Sequence, residues 1–392
     1  DPAVRDACRE ELVKLQGGDA ENFAIWQECV GLSLREFEHA YELLGIRYDI
    51  QRGESFYNER LPGVVDRLLK SGLAEISEGA VCVFFRDIPD LAEKPCIIRK
   101  RDGGFNYATT DIATVDYRLD DLQRDAVWIV TGAPQQLHFV QIFEIARREG
   151  RHADFRHITH GSILGEDRKA MKTRSGDNVA LQDVLDEAIL RARKIIEEKN
   201  PDLDEAAKQR TARIIGIGAV KYADLSQHRM TDYIFSWDRM LSLQGNTAPY
   251  LQNAYVRIRS IFRKAGDGSS VANSLWEAQG AASDAAHGAA QDAGHRPTAT
   301  MLELSEPAER DLAKRLCQFA EVVPTVLNDF RPNILANYLF ETANSFHAFY
   351  EACPVLKSEE PARSSRLALC GLTARVLERG LDLLGIEVPE RM

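Results

Sequence analysis

Apolar residues recur at three- and four-residue steps near the start of the chain, as Phe23, Trp26, Val30 and Leu34 illustrate. This spacing places the apolar side chains on one face of a helix. The first 44 residues are therefore predicted to be helical.

From residue 54 to residue 100 the pattern is mixed. A helical pattern over 62–70 is followed by two short β-rich runs at 81–85 and 96–99. Runs of this length and composition are typical of short strands.

A second mixed stretch has the order helix, strand, helix, strand. Residues 111–118 are predicted to be helical, and 126–131 form an apolar run typical of a buried strand. Pro134 is placed near the start of the next helix, which should end at Gly150, and 157–160 follow as a short strand. A strand, a helix and another strand are the unit of a parallel sheet, whose ligands bind at the carboxyl ends of the strands. We therefore expect chemistry at the loop 131–136.

Beyond residue 181 the strand patterns stop, and only helices are predicted. Their ranges are 180–199, 205–225, 248–265, 304–323, 331–351 and 363–385. Residues 267–300 are rich in Ala, Gly and Ser with few large apolar side chains, so they are interpreted as a flexible insertion.

Composition and charge restrict the function classes. No run approaches the roughly 18 apolar residues of a membrane helix, and a soluble, cytoplasmic protein is expected. The seven cysteines are scattered and do not form a Cys-x-x-Cys pair, so they are interpreted as reduced thiols without a metal site. The net charge of −11 disfavours nucleic-acid binding by bulk charge, so any RNA contact requires a local basic patch.

Tyr107 and Asp111 are the first candidates for chemistry. They lie four residues apart in Tyr-Ala-Thr-Thr-Asp and face the same way on a helix. A carboxylate here can pair with a planar guanidinium. The alternative is that an Asp near a helix start only stabilises that helix.

Gln135 and His138 follow the predicted buried strand in Thr-Gly-Ala-Pro-Gln-Gln-Leu-His. Their amide and imidazole groups would lie at the carboxyl end of that strand. The alternative is an ordinary turn with a hydrogen-bonded histidine.

Two basic segments complete the candidates. Lys169, Lys172 and Arg174 lie on a short loop bounded by glycines, which could close over a triphosphate; a solvated basic loop is the alternative. The stretch 257–264 carries a basic stripe beside aromatic residues, of a kind that binds RNA backbone but also occurs on many exposed helix faces.

Six segments in the same order together resemble the arginyl-tRNA synthetases. They are Tyr-Ala-Thr-Thr-Asp at 107–111, Gln-Gln-Leu-His at 135–138, Met-Lys-Thr-Arg-Ser-Gly at 171–176, Tyr-Ala-Asp-Leu-Ser at 222–226, Gly-Asn-Thr-Ala-Pro-Tyr-Leu-Gln at 245–252 and Pro-Glu-Arg-Met at 389–392. The resemblance spans nearly the whole chain. It implies an α/β plus all-α protein: part of a class I nucleotide-binding, Rossmann-like catalytic domain with an inserted subdomain, followed by a helical anticodon-binding bundle.

The resemblance also implies a domain organisation. Residues 1–100 would hold the end of the first catalytic half and the inserted subdomain, and 101–180 the second half with the ATP loop. A helical connecting region at 181–245 and the anticodon-binding bundle at 246–392 would follow.

The substrates and partners that the resemblance implies are L-arginine, ATP with Mg²⁺, and tRNA(Arg), with no membrane partner and a monomeric protein. Glu54 and Asp111 would hold the guanidinium, while Tyr107 and Gln135 position the amino acid. His138 would lie near the nucleotide. The ATP loop would contain Lys169, Met171, Lys172, Thr173 and Arg174. Met171 and Lys172 would bind the nucleotide. Lys169, Lys172 and Arg174 are the alternatives for the cation that contacts phosphate.

The tRNA surface implied by the resemblance lies in the bundle. Its candidates are Tyr250, Arg257, Arg259, Tyr338, Tyr350 and Met392. Phe346 is also aromatic, but a core position is favoured for it.

One motif of the class is missing, because the nine histidines contain no His-x-Gly-His. We therefore expect this chain alone to be inactive or nearly so, and a non-catalytic tRNA-binding or regulatory module remains the alternative. A synthetase for another amino acid is disfavoured, since a neutral substrate would leave two buried carboxylates without a counter-charge.

Overall fold

The computed structural model describes residues 2–16, 18–165, 180–266 and 302–392. Two helices open the chain: α1 (Pro2–Gln16) and α2 (Ala20–Leu44). The predicted helical stretch divides because the Asp19 side chain accepts hydrogen bonds from the backbone amides of Glu21 and Asn22, which starts a new helix. Every side chain of α2 is at least partly exposed.

A small antiparallel sheet follows. A 3₁₀ turn at Glu54–Arg60 leads into α3 (Leu61–Lys70), then β1 (Ala74–Ser77), β2 (Ala80–Val83) and β3 (Cys96–Arg99), which pair in that order. The helix and the two predicted strands are confirmed, and β1 is an additional strand.

The predicted parallel unit is present. It consists of α4 (Tyr107–Asp116), β4 (Ala126–Gly132), α5 (Gln136–Arg148) and β5 (Asp154–His160). Strands β4 and β5 pair in parallel, and Gly132 lies opposite His160 at their carboxyl ends. Loop 131–136 and the start of α5 therefore lie at the carboxyl ends of the strands, the edge of the sheet at which the sequence predicts chemistry.

The expectation that strands stop before residue 181 is wrong. A two-residue strand β6 (Ile163–Leu164) pairs in parallel with β7 (Tyr233–Ile234). Gly161 permits this approach, because a Cβ there would lie 2.7 Å from the carbonyl carbon of Thr231.

The remaining described residues are mainly helical. The helices are α6 (Leu181–Lys199), α7 (Glu205–Leu225), α8 (Trp237–Met240), α9 (Ala248–Ala265), α10 (Pro307–Cys317), α11 (Phe319–Asp329), α12 (Pro332–Ala352) and α13 (Ala362–Leu383). Helices α9, α10, α12 and α13 share one apolar core around Leu251, Leu339 and Phe346. The predicted helix 304–323 is divided at Gln318, and the insertion expected at 267–300 lies outside the described residues. In the part of the chain that the structure describes, no helix is long and apolar enough to cross a membrane.

The parallel strands contact the helical bundle at the end of α11. Arg229 donates to the Thr159 carbonyl at 2.5 Å and to the Asp329 carbonyl at 3.3 Å. Beside it, the rings of Trp128 and Phe330 lie 4.8 Å apart. We call these residues, Trp128, Thr159, Arg229, Asp329 and Phe330, the junction.

Candidate active site and cationic cleft

Asp111 and His138 meet at the carboxyl end of β4. The His138 Nε2 atom lies 2.6 Å from the Asp111 Oδ2 atom, which joins the first turn of α5 to the middle of α4. The His138 side chain is only 11% exposed, whereas that of Asp111 is 32% exposed. The pair thus has a covered imidazole and a carboxylate that solvent reaches.

Two other predicted substrate residues lie at the same edge. The ring of Tyr107 stands 4.7 Å from the His138 ring, and its side chain is otherwise exposed. Gln135 ends the 3₁₀ turn Ala133–Gln135 directly before α5 and is exposed. The structure therefore brings Tyr107, Asp111 and His138 together, with Gln135 three residues before His138.

Glu54 stands apart from this group. It begins the 3₁₀ turn Glu54–Arg60 and is exposed. Among the described residues it forms no hydrogen bond or ion pair with Tyr107, Asp111 or His138. Its assignment to the guanidinium remains a prediction.

A second histidine lies at the carboxyl ends of these strands. His157 on β5 has its Nε2 atom 2.7 Å from the Thr131 hydroxyl, and the centre of its ring lies 4.9 Å from that of Phe139, with the two rings tilted. Burial lowers the pKa of His157, and the charges of His138, Arg229 and His160 lower it further. His157 is thus favoured as a neutral ring.

The five residues of the predicted ATP loop lie outside the described residues: Lys169, Met171, Lys172, Thr173 and Arg174. Within the described chain no group of three or more His, Cys, Asp or Glu side chains is arranged to hold a metal ion.

A cleft of about 980 Å³ lies between the α6–α7 turn and the bundle. Seven charged side chains line it: the cations Lys199, Arg257, Arg263, Lys264, Lys357 and Arg391, and the single acid Asp202. Burial lowers the pKa of Arg263, and repulsion from Arg391 and Arg259 adds to this shift. The six cations therefore give the cleft the local excess of positive charge that an acidic chain needs in order to bind an anionic polymer. We call it the cationic cleft.

Three of the predicted tRNA residues line the cationic cleft: Arg257, Tyr350 and Met392. The Arg257 guanidinium lies 5.6 Å from the centre of the Tyr350 ring. Met392 also packs against the apolar core of the bundle.

The other predicted tRNA residues lie outside the lining of the cleft. Tyr250 is partly buried and donates a hydrogen bond to Asn344 at 2.6 Å. Arg259 is partly exposed beside Tyr255 and Arg263, on whose pKa values its charge acts.

Tyr338 requires a correction. Its side chain is 5% exposed, and its hydroxyl donates to the Arg315 carbonyl at 2.8 Å. Tyr338 therefore belongs to the bundle core, because its position on α12 faces α10. The core position favoured for Phe346 is confirmed, since that ring is fully buried.

Some residues of these sites were not predicted from the sequence. Lys199 and Lys357 line the cationic cleft but lie far along the chain from the basic stripe of α9. Arg391 lies in the terminal Pro-Glu-Arg-Met motif, but Met392 was the only residue of that motif predicted to contact tRNA. The contact between Asp111 and His138 was also not predicted, because 27 residues separate them.

Comparison with known proteins assigns the class. The family model for the catalytic domain of class I (R) tRNA synthetases matches residues 1–237, and that for the DALR anticodon-binding domain matches 251–392. Together they define a class I tRNA synthetase with an anticodon-binding domain.

Individual relatives give the family. An arginine–tRNA ligase of Chromobacterium violaceum is 44% identical over 394 residues, covering 99% of this chain and 64% of the relative. The structure of Thermus thermophilus arginyl-tRNA synthetase matches with a TM-score of 0.81 and 25% identity, over 100% of this chain and 67% of that one. The structure of Plasmodium falciparum arginyl-tRNA synthetase matches with a TM-score of 0.79 and 29% identity, over 99% of this chain and 62% of that one. The chain belongs to the arginyl-tRNA synthetases, and it spans 64% of the length of the C. violaceum relative.

Proposed function

We propose that the protein is an arginine–tRNA ligase, which activates L-arginine with ATP and transfers it to the terminal adenosine of tRNA(Arg). The observation that carries this proposal is the partly exposed Asp111 carboxylate at the carboxyl end of β4, bound to His138, whose ring lies beside that of Tyr107. A carboxylate in this position supplies the charge and the planar acceptor that a guanidinium requires. The membership of the family supports the same reaction.

In the first half-reaction, the carboxylate of arginine attacks the α-phosphate of ATP, and pyrophosphate leaves. Asp111 would bind the guanidinium, with Glu54 as a second acid, while Tyr107 and Gln135 orient the amino acid. The cations Lys169, Lys172 and Arg174 would stabilise the charge on the phosphates, aided by Mg²⁺ bound with ATP. In the second half-reaction, a ribose hydroxyl of the terminal adenosine attacks the activated carbonyl, the bond to the phosphate breaks, and AMP leaves as the hydroxyl loses its proton.

The tRNA would bind through the cationic cleft. Its six cations can neutralise backbone phosphates, and Tyr350 offers a ring for stacking against a base. The net charge of −11 is then no obstacle, since the positive charge is concentrated at one cleft. We also propose a cytoplasmic monomer, as the resemblance to the arginyl-tRNA synthetases implies.

The first test is isothermal titration with arginine, with lysine and citrulline as controls. Binding of arginine alone supports the carboxylate pocket, because lysine lacks the planar fork and citrulline lacks the charge. Aminoacylation of tRNA(Arg) by the protein at its native length then tests the whole reaction. Binding of tRNA without any binding of arginine would instead favour the non-catalytic RNA-binding alternative.

A further inference from the structure

We propose that His138 is a positioning residue for arginine, which acts by orienting the Asp111 carboxylate. This inference rests on the function proposed above. It differs from the role that the sequence resemblance implied for His138, which was a place near the nucleotide.

The position of the imidazole is fixed from several sides. Its ring lies 4.7 Å from that of Tyr107 and 4.8 Å from that of Phe139, and only 11% of the side chain is exposed. Because α5 begins at Gln136, His138 also belongs to the first turn of a helix rather than to a free loop. The imidazole is therefore held in one place before any ligand arrives.

The contact with Asp111 uses one of the two carboxylate oxygens. An ionised carboxylate only accepts hydrogen bonds, so the proton lies on His138 Nε2 and is donated to Asp111 Oδ2. Among the described residues Oδ1 has no hydrogen-bond partner. The imidazole thus fixes the plane of the carboxylate and leaves Oδ1 for a ligand.

An orientation of this kind matters for a guanidinium. The planar fork of donors binds strongly only when the acceptor oxygen lies in the plane of the fork. An Asp side chain rotates freely about its last bond unless it is held, and ordering it on binding weakens the affinity. A carboxylate oriented in advance binds arginine more tightly, and it favours a planar fork over the compact ammonium of lysine.

His157 provides a matched control. It is also a histidine at the carboxyl ends of these strands, and its ring also lies beside that of Phe139, at 4.9 Å, but its Nε2 atom contacts the Thr131 hydroxyl rather than Asp111. Loss of a ring beside Phe139 is therefore common to variants at both positions, whereas loss of the donor to Asp111 is specific to His138.

The experiment compares His138→Leu, His138→Gln and His157→Leu with the wild-type protein. Titration calorimetry gives the Kd of arginine, and ATP–pyrophosphate exchange at native length gives KM for arginine and for ATP. We expect His138→Leu to raise the arginine Kd and KM about 2- to 10-fold, the cost of ordering one free side chain on binding, with the ATP KM unchanged. His138→Gln retains a side-chain N–H donor and should recover part of the affinity. His157→Leu should leave the arginine Kd unchanged.

Two results would overturn the inference. If His138→Leu raises the KM for ATP and leaves arginine binding unchanged, His138 acts on the nucleotide and not on arginine. A folded His138→Gln variant that loses as much arginine affinity as His138→Leu would show that the donor to Asp111 is not the cause. Absence of arginine binding by the wild-type protein at its native length would instead refute the proposed function, so the two failures are distinguishable.

Discussion

Asp111 is the residue on which the chemistry of the site depends most. Replacing it with Asn keeps its shape and its ability to accept a hydrogen bond but removes the negative charge. We expect Asp111→Asn to raise the arginine KM by about 10- to 100-fold and to lower turnover, with little change in the ATP KM, since an ionic partner contributes about 1.5–3 kcal/mol. Steady-state pyrophosphate exchange measures the KM for arginine and the KM for ATP. Unchanged arginine kinetics would refute the assignment of Asp111 to the guanidinium.

The cysteines allow a prediction that is independent of function. Cys8, Cys29 and Cys317 are exposed, whereas Cys82, Cys96, Cys353 and Cys370 are buried. Burial raises the pKa of the Cys96 and Cys370 thiols to about 12, so very little thiolate is present there at pH 8. Iodoacetamide should therefore label the three exposed thiols of the native protein, and all seven only after denaturation. Mass spectrometry of the labelled peptides provides the check, and native labelling of Cys370 would contradict the fold of the bundle.

The sequence predicts the residues of the site better than their contacts. Tyr107, Asp111 and His138 could be selected because each belongs to a local motif beside a strand or a helix start. The hydrogen bond between Asp111 and His138 could not be predicted, because it depends on how α5 packs on α4. Tyr338 shows the same limitation: on a helix, a core aromatic and a surface aromatic have the same local sequence.

Among the elements, α10 and α13 are joined by a buried ion pair. Arg366 donates to Glu309 at 2.6 Å, and their side chains are 9% and 0% exposed. Burial raises the pKa of the Glu309 carboxyl, but hydrogen bonds from the Glu306 amide and from Arg366 outweigh it, so the pKa lies below its usual value. The ionised carboxylate therefore stabilises the folded protein above the pKa of the unfolded state, and this contribution is lost as the pH falls through the folded pKa.

Glu309→Gln should lower the free energy of unfolding by about 3 kcal/mol at pH 7, because Arg366 would lose its ionic partner in the core. The difference from wild type should shrink as the pH falls below about 4. Glu341→Gln is the matched control, since its ion pair with Arg315 on the same bundle is half exposed and should contribute less than about 1 kcal/mol. Urea unfolding at pH 7 and at a series of pH values below 4 measures both, and an equal effect of the two variants at pH 7 would contradict the role of burial.

The elements differ in how far the sequence predicts them. The bounds of α7 and α9 agree with the predicted 205–225 and 248–265, because long amphipathic periodicity is a local signal. The strands β6 and β7 have two residues each and pair across about 70 positions, so no periodicity exists to reveal them. The division between α10 and α11 was also missed, since apolar spacing continues through Gln318.

At the scale of the whole molecule, the junction links the candidate active site to the bundle. Arg229 is its central residue, because it binds the carbonyl of Thr159 on β5 and that of Asp329 at the end of α11. We expect Arg229→Gln to increase hydrogen exchange roughly tenfold in peptides spanning 159–161 and 329–331, since the energy of local opening falls with the lost hydrogen bonds. Exchange monitored by mass spectrometry is the measurement.

The control for that experiment is Arg379→Gln, which removes an exposed ion pair with Asp382 on α13. It should leave exchange at the junction unchanged. Equal protection of the junction in wild type and Arg229→Gln would mean that the hydrogen bonds of Arg229 do not hold the junction closed.

Trp128 allows changes at the junction to be followed by fluorescence. Its indole N–H binds Asp154 at 3.0 Å, its ring meets Phe330, and the Arg156 guanidinium lies 5.6 Å from the ring centre. Separation of the bundle from the strands would remove Phe330 and expose the indole to more water, which shifts tryptophan emission to longer wavelength. With Trp26, Trp237 and Trp276 replaced by Phe, this chain would carry a single tryptophan, at the boundary between its two parts. Stopped-flow emission could then follow, without any added dye, whether occupation of the cationic cleft moves the strands that carry the active site.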